Sequence, residues 1–117
     1  MEYTESILDS IKKLLGITAD YTIFDQDIII HINTIFMTLR QIGVGPKAGF
    51  SIKSNEEVWT DFVEDPKIIE AVKSYVYMKV KLIFDPPSSS SVIEIYNKNI
   101  EEIEWRLNSE VDHPVDV

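Results

Sequence analysis

FDPPSSSS, residues Phe84–Ser91, lies between two strongly periodic helical segments and decides the layout of the C-terminal half. Its two prolines cannot continue a helix, because proline lacks the backbone N–H and also restricts the residue before it. The serines that follow suit the start of a new helix, and Ser90 or Ser91 is the predicted N-cap. The stretch therefore predicts the end of one helix, a turn and the start of another.

The segment before this turn predicts a helix from Asp65-Pro66 to about Phe84. Asp65 is an acidic N-cap, and Pro66 suits the first helical position. Apolar residues cover almost every side of this helix: Ile68, Ile69, Val72, Tyr75, Val76, Met78, Val80, Leu82 and Ile83. Such a helix is buried by its own chain or by a neighbour. Since a small domain has few helices to cover it, the pattern favours self-association.

The segment after the turn predicts a last helix from Val92 to about Leu107. Its apolar residues step by three and four along one face: Ile93, Tyr96, Ile100, Ile103 and Leu107. Residues 109–117 include Pro114 and alternate in charge, so they predict a flexible C-terminal tail. The sequence thus predicts a single helical domain over residues 1–108.

A first helix is predicted over Glu5–Leu15, with Thr4 as N-cap and Gly16 as the residue that ends it. Its apolar residues share one face at the helical period: Ile7, Leu8, Ile11, Leu14 and Leu15. Ile17 is placed to pack back on this helix after the glycine. The segment therefore predicts an amphipathic helix with one buried side.

A second helix is predicted over residues 26–42, with Asp25 as N-cap and Gly43 as its end. A wide apolar stripe runs along it: Ile28, Ile29, Ile32, Ile35, Phe36, Leu39 and Ile42. A stripe this broad indicates packing against more than one neighbouring element.

Residues 43–54 form the longest irregular segment, and Gly45-Pro46 keeps the preceding helix from resuming. The alternation of apolar and polar residues at 50–52 predicts a short extended element. A short helix over residues 56–62 follows it. The predicted fold class is all-α, a small bundle of four to five helices with that one extended element.

The charge balance restricts the classes of partner. Twenty acidic residues against eleven basic ones give a formal net charge of −9 and a pI near 4.6. Tight binding of nucleic acid over a broad face needs a basic stripe that displaces counterions, and the lysines and arginines here are scattered. An acidic surface can still lie beside DNA, because it repels DNA rather than holds it.

Other compositional features exclude further classes. The chain of 117 residues fits one domain and has no cysteine, which excludes disulfides and thiolate metal sites. Its acidic N-terminus does not resemble a secretory signal, and its apolar runs are far shorter than the roughly 20 residues that span a bilayer. We therefore expect no membrane partner.

Catalytic and metal-binding patterns are absent from the sequence. His31 has Thr34 and Ile35 where a second helical ligand would stand, so it is interpreted as a structural or surface residue, and His113 lies in the predicted tail. Neighbouring carboxylates occur at helix starts or on predicted solvent faces: Asp25 with Asp27, Glu56 with Glu57, and Glu101 with Glu102 and Glu104. Carboxylates in such positions stay ionised and solubilise the chain. We predict no enzymatic activity, cofactor or metal.

Four aromatic residues have two interpretations. Trp59, Phe62, Phe84 and Trp105 are of the types that fill cores and also of the types that anchor interfaces. The sequence gives the two roles equal weight, so each residue is either a core residue or a subunit contact.

A series of motifs resembles the small head–tail connector proteins of long-tailed bacteriophages. In chain order they are Ile32-Asn33, the helix end at Gln41, Gly43, Val44 and Gly45, the segment of Trp59, the tyrosine helix of Tyr75 ending in Phe84, Asp85, Pro86 and Pro87, and the final-helix residues Glu102, Trp105 and Arg106. The match covers about residues 5–108. The order and spacing carry it more than any single motif, and a prophage remnant would share the same pattern.

The resemblance implies a structural virion protein. Members form a ring, typically of twelve copies, below the portal protein, extend the DNA channel, and dock the stopper or tail-completion protein. DNA then passes without tight or specific binding. The implied location is the virion neck, with the host bacterial cytoplasm before assembly. The candidate interface or family-motif residues are Asn33, Gly43, Gly45, Trp59, Phe62, Phe84, Asp85, Pro86, Pro87, Trp105 and Arg106.

The alternative function comes from the charge alone: a small acidic regulatory protein that mimics DNA and inhibits a host or phage factor. Such a mimic needs acidic side chains in rows at phosphate-like spacing. Here the acidic residues cluster at helix starts and in the last helix, which favours the connector interpretation.

Overall fold

The structure, a computed structural model, describes residues 5–112, with the side chains of 110–112 excepted. Its five helices are α1 (Ile7–Leu15), α2 (Asp25–Ile42), α3 (Trp59–Phe62), α4 (Pro66–Phe84) and α5 (Ser90–Asp112). The described residues contain no strand, and the one β-bridge joins Ser6 to Val58. The all-α prediction is confirmed. The extended element predicted at 50–52 forms no strand.

Local sequence signals explain most of the helix ends. Asp65 caps α4, because its carboxylate accepts a hydrogen bond from the Lys67 N–H at 2.9 Å. Gly16 ends α1 in the left-handed conformation, and the Ile17 N–H donates back to the Lys12 carbonyl at 2.8 Å. Both ends lie where the sequence predicted them.

The predicted N-caps of α1 and α2 differ from the structure. Ser6 caps α1, since its hydroxyl accepts from the Asp9 N–H at 3.1 Å, and the predicted cap, Thr4, lies outside the described residues. Asp25 is the first residue of α2 rather than its cap, and its carboxylate turns instead toward the Lys12 ammonium at 2.7 Å. A tertiary ion pair thus replaces a local capping bond.

The last helix is longer than predicted. It begins at Ser90, so Ser90 and Ser91 are helical residues rather than the predicted N-cap, and the Ser89 hydroxyl accepts from the Val92 N–H at 3.4 Å. It continues to Asp112 rather than ending near Leu107. The helix therefore includes the start of the predicted tail. The rest of that tail, residues 113–117 with His113, lies outside the described residues.

Helix α4 forms the centre of the bundle and contacts α1, α2 and α5. Its buried residues point in several directions: Ile69, Val72, Tyr75, Val76, Met78 and Val80. Three helices of the same chain therefore cover the apolar sides that the sequence assigned to self-association. Ile83 at the C-terminal end is the exception, because 55% of its surface remains exposed.

An aromatic cluster closes one end of the core, where the 43–58 segment folds over α2. Phe36 of α2 lies 4.6 Å from Phe62 and 5.2 Å from Phe50, measured between ring centroids. Trp59 joins the same cluster, 6.5 Å from Phe36. The irregular segment is thus held down by aromatic packing rather than by a backbone ladder.

Gly45 is required where the chain passes this cluster. Its φ is +93°, and a Cβ atom at this position would overlap the ring of Phe62. Gly16 has a similar φ of +86° but open space around it. We expect Gly45→Ala to lower the free energy of unfolding by about 1–3 kcal/mol more than Gly16→Ala, because only the former adds an overpacking cost to the backbone cost. Urea denaturation of the two variants measures the difference, and equal losses would contradict the packing argument.

Candidate assembly surface

Two of the four aromatic residues that the sequence left undecided between core and interface belong to the core. Trp59 is fully buried, and Phe62 is almost so. The Trp59 indole N–H donates to the Ser10 hydroxyl at 2.9 Å, and that hydroxyl donates to the Ile7 carbonyl at 3.0 Å. Neither aromatic side chain is available to a neighbouring subunit, so the core role holds for both.

Asn33 positions the irregular segment that follows α2. Its side-chain amide donates to the Ile52 carbonyl at 3.0 Å and accepts from the Ile52 N–H at 2.8 Å. This pair of bonds satisfies Ile52 as a neighbouring strand would. This contact explains why residues 50–52 show the apolar–polar alternation of a strand although Ile52 bonds to a side chain of α2 and not to a second strand.

We expect Asn33→Asp to lower the free energy of unfolding by about 1–3 kcal/mol. The variant keeps the size of the side chain but loses the donor, and a carboxylate oxygen then faces the Ile52 carbonyl. Urea denaturation measures the loss, and limited proteolysis should show faster cleavage within residues 43–53. Asn97→Asp, an exposed site on α5, makes the same chemical change as a control. Equal stability of the two variants would contradict the role assigned to Asn33.

The turn that decides the C-terminal layout carries an apolar patch. Phe84 stacks edge-on against Phe24, with centroids 5.3 Å apart, and Phe24 lies 6.0 Å from Tyr21. Ile23 and Ile83 are 71% and 55% exposed beside them. We name these five residues the end patch. It joins the α1–α2 loop to the C-terminal end of α4 and leaves large apolar side chains in solvent.

The polar part of the same turn is held locally. The Asp85 carboxylate accepts from the Lys81 ammonium at 3.1 Å, and the Asp85 N–H donates to the Lys81 carbonyl at 3.0 Å. Pro86 and Pro87 then carry the chain over to α5. Asp85 and the prolines thus fix the direction of the chain beside the end patch.

Trp105 is the largest apolar side chain left outside the core, with 70% of its surface exposed. It lies on the outer side of α5. Its neighbour Arg106 pairs with Glu102, four residues earlier on the same helix, at 2.9 Å. Trp105 adds little to the buried apolar surface of the bundle. A side chain of this size is therefore suited to a contact with another molecule.

Polar side chains fasten α5 to α4. The Tyr75 hydroxyl donates to the Glu104 carboxylate at 2.7 Å, and burial together with this bond raises the pKa of Tyr75 well above its usual value. Burial and a 3.1 Å hydrogen bond to the Tyr96 hydroxyl raise the pKa of Tyr77 to about 12. Glu104 was predicted to be solvent-facing and instead forms part of this contact.

The described part of the chain shows no cluster of side chains suited to holding a metal ion. Among those residues no three histidine or carboxylate side chains are placed to hold a metal ion. His31 is half-buried on α2. Within residues 5–112 no helix is long and apolar enough to cross a membrane.

Sequence reasoning missed Lys12, which is fully buried. Its ammonium donates to the Ala19 and Tyr21 carbonyls at 3.0 and 2.8 Å, in addition to the ion pair with Asp25. The signal was present, because Lys12 stands four residues after Leu8 on the apolar face of α1. The end-patch residues of the α1–α2 loop were missed too, since a loop has no period to reveal them.

The fold and its surface define a class: a small helical bundle that leaves large apolar side chains on its outside. The comparison with family models names the family. Residues 7–114 match the model of the phage connector proteins, and the chain belongs to that family of structural head–tail connector proteins of bacteriophages. No curated protein and no solved structure matches the chain.

Proposed function

We propose that this protein is the adaptor of a phage neck. Twelve copies assemble as a ring below the portal protein, extend the DNA channel, and dock the stopper or tail-completion protein. The observation that carries this proposal is the family match over residues 7–114. The protein is free in the host cytoplasm before assembly and belongs to the virion neck afterwards.

The surface of the bundle supports an assembly role. The end patch around Phe84 and the exposed Trp105 are apolar features that a monomer leaves in water. Exposed aromatic side chains are common anchors of protein interfaces. Trp105 is exposed, whereas Phe84 is half-buried against the core with the exposed Ile23, Phe24 and Ile83 beside it. We propose these two motif residues as subunit or portal contacts.

The net charge supports passage of DNA. A chain with a formal charge of −9 repels the phosphate backbone, so a ring of such chains lets DNA slide without holding it. Most lysines and arginines are scattered, and the three between residues 28 and 55 are too few to hold DNA tightly. The proposed contact with DNA is thus one of passage rather than binding.

The test mixes the protein with assembled portal from the same genome, beside the protein alone, in negative-stain microscopy and light scattering. We expect a ring on the underside of the portal. Trp105→Ala and Phe84→Ala should each lower ring occupancy, the fraction of portals that carry a ring, by about tenfold. The reason is that removal of an interface anchor costs more than about 1 kcal/mol of binding free energy. Leu14→Ala, which removes a half-exposed side chain of α1, is the matched control and should assemble normally.

Two contrary results would overturn different parts of this proposal. Normal rings with both aromatic variants would overturn the interface role of these residues while leaving the connector function intact. A stable monomer that never binds the portal at any salt concentration would overturn the function. In that case the acidic regulatory protein would become the better hypothesis, and salt-dependent binding to a basic DNA-binding protein would test it.

A further inference from the structure

The acidic residues are distributed unevenly along the chain. The chain has twenty of them, yet none lies between residues 28 and 55. The same stretch carries three basic residues, Arg40, Lys47 and Lys53, all of them exposed. A protein with a net charge of −9 therefore has one long segment with a formal charge of +3.

An apolar stripe on α2 belongs to this segment. Ile30 and Met37 lie seven residues apart on the outer side of the helix, 60% and 64% exposed. Thr34 lies between them, and its hydroxyl donates to the Ile30 carbonyl at 3.0 Å. The hydroxyl is thus satisfied within the helix, and the stripe offers a surface that can lose water at little cost.

Hydrogen bonds place the basic residues beside this stripe. The Arg40 Nε–H donates to the Lys47 carbonyl at 2.8 Å, and Asn33 holds the backbone of Ile52. The loop therefore runs along the flank of α2, with Lys47 and Lys53 at its two ends. We name it the acid-free surface after segment 28–55, which has no acidic residue, and it is formed by Ile30, Thr34, Met37, Arg40, Lys47 and Lys53.

Helix α5 carries a surface of opposite character. Ile95 and Trp105 are 55% and 70% exposed, and Glu94, Lys98 and Glu101 lie exposed around them. The helix as a whole has six acidic and two basic residues. We name these five exposed residues the α5 outer face.

We propose that the acid-free surface of one copy docks the α5 outer face of the next copy, an inference that rests on the proposed ring. Each copy has one of each surface, so the contact is heterologous and can close a ring. The apolar residues span comparable lengths, about 10 Å on α2 and about 15 Å on α5 at 1.5 Å per residue. The charges are complementary, which steers encounter and sets the register.

Two other occupants fit the acid-free surface less well. The first is the acidic segment 56–65 of another copy. In its own copy this segment already lies against the loop, where the Glu57 carboxylate accepts from the Lys53 N–H at 2.8 Å. Residues 56–70 also expose no large apolar side chain that could cover Ile30 and Met37. DNA would need more cations than three, and would gain nothing from Ile30 and Met37. A second copy satisfies both the charge and the apolar stripe.

The test is a charge exchange scored by ring occupancy on the portal. Lys47→Glu and Glu101→Lys should each lower occupancy by about tenfold, because like charges then face each other. An equimolar mixture of the two variants should restore it, since an alternating ring pairs opposite charges at every contact. The double variant Lys47→Glu/Glu101→Lys should also form rings, because its two surfaces again carry opposite charges. Lys67→Glu and Glu70→Lys make the same charge changes on exposed sites outside both surfaces, and serve as controls.

A second measurement does not use the portal. Carbodiimide links lysines to carboxylates, and we expect the concentrated protein alone to give linked peptides that join Lys47 or Lys53 to Glu94 or Glu101. Such links without any ring on the portal would support the contact and overturn the proposed function. Normal rings with unaffected single variants, or defects that mixing does not restore, would overturn the contact alone. Loss of salt-dependent duplex DNA binding in Lys47→Glu, with normal rings, would assign the surface to DNA instead.

Discussion

Replacing Lys12 by methionine lowers the free energy of unfolding by about 3–5 kcal/mol, the usual loss when one partner of a buried ion pair is removed. The Lys12 side chain is fully buried, 2.7 Å from the Asp25 carboxylate. Methionine fills a similar space but leaves that carboxylate without its counter-ion and the carbonyls of Ala19 and Tyr21 without their donor. Urea denaturation measures the loss, and hydrogen exchange should show earlier opening of residues 17–24.

A second variant separates the charge from the packing. In Lys12→Met with Asp25→Asn no unpaired charge remains, so the double variant should be more stable than Lys12→Met alone. Lys13→Met changes the neighbouring, exposed lysine and should alter stability by no more than about 0.5 kcal/mol. A Lys12→Met protein as stable as the Lys13→Met protein would contradict the role given to this ion pair.

Trp59→Ala should lower the free energy of unfolding by about 3–5 kcal/mol, the range for a large aromatic residue removed from a core. Trp59 has no exposed surface, packs against Phe36, and donates to the Ser10 hydroxyl. Its loss leaves a cavity between α1 and the segment that covers α2. Denaturation monitored by circular dichroism measures the effect without the tryptophan signal.

The chain provides its own matched control, since it has only two tryptophans. Trp105→Ala makes the same chemical change at a site that is 70% exposed, and stability should change by about 0.5 kcal/mol or less. The two variants should therefore have opposite defects: Trp59→Ala in folding, and Trp105→Ala in assembly. Similar losses of stability in both would contradict the assignment of Trp59 to the core and Trp105 to a contact.

Much of the helix layout was predictable from local patterns. The start of α4 at Pro66 and its end at Phe84 follow from an acidic cap, a first-turn proline and the Asp85-Pro86-Pro87 stop. The ends of α1 and α2 follow from Gly16 and Gly43, which take the left-handed conformation. These signals act within a few residues, so they need no knowledge of the fold.

Other predictions failed where a distant residue competes with a local one. Asp25 has the right chemistry for a cap, but Lys12 offers a buried charge and draws the carboxylate away. The extended appearance of residues 50–52 reflects the Asn33 amide, nineteen residues away in the chain, rather than a strand partner. The wide apolar pattern of α4 fits burial by the same chain or by a neighbour, and three helices of the same chain contact it.

Local patterns along the chain were enough to predict the all-α class, the main helices, the acidic balance and the resemblance that the family match confirms, because periodicity, caps and motif order each involve only nearby residues. Which aromatic residues lie in the core and which lie on the surface is evident only from how the helices pack. Trp59 and Trp105 are the same residue type, both on or beside helical segments, and burial separates them. Burial depends on which elements meet in space, and that information is spread over the whole chain.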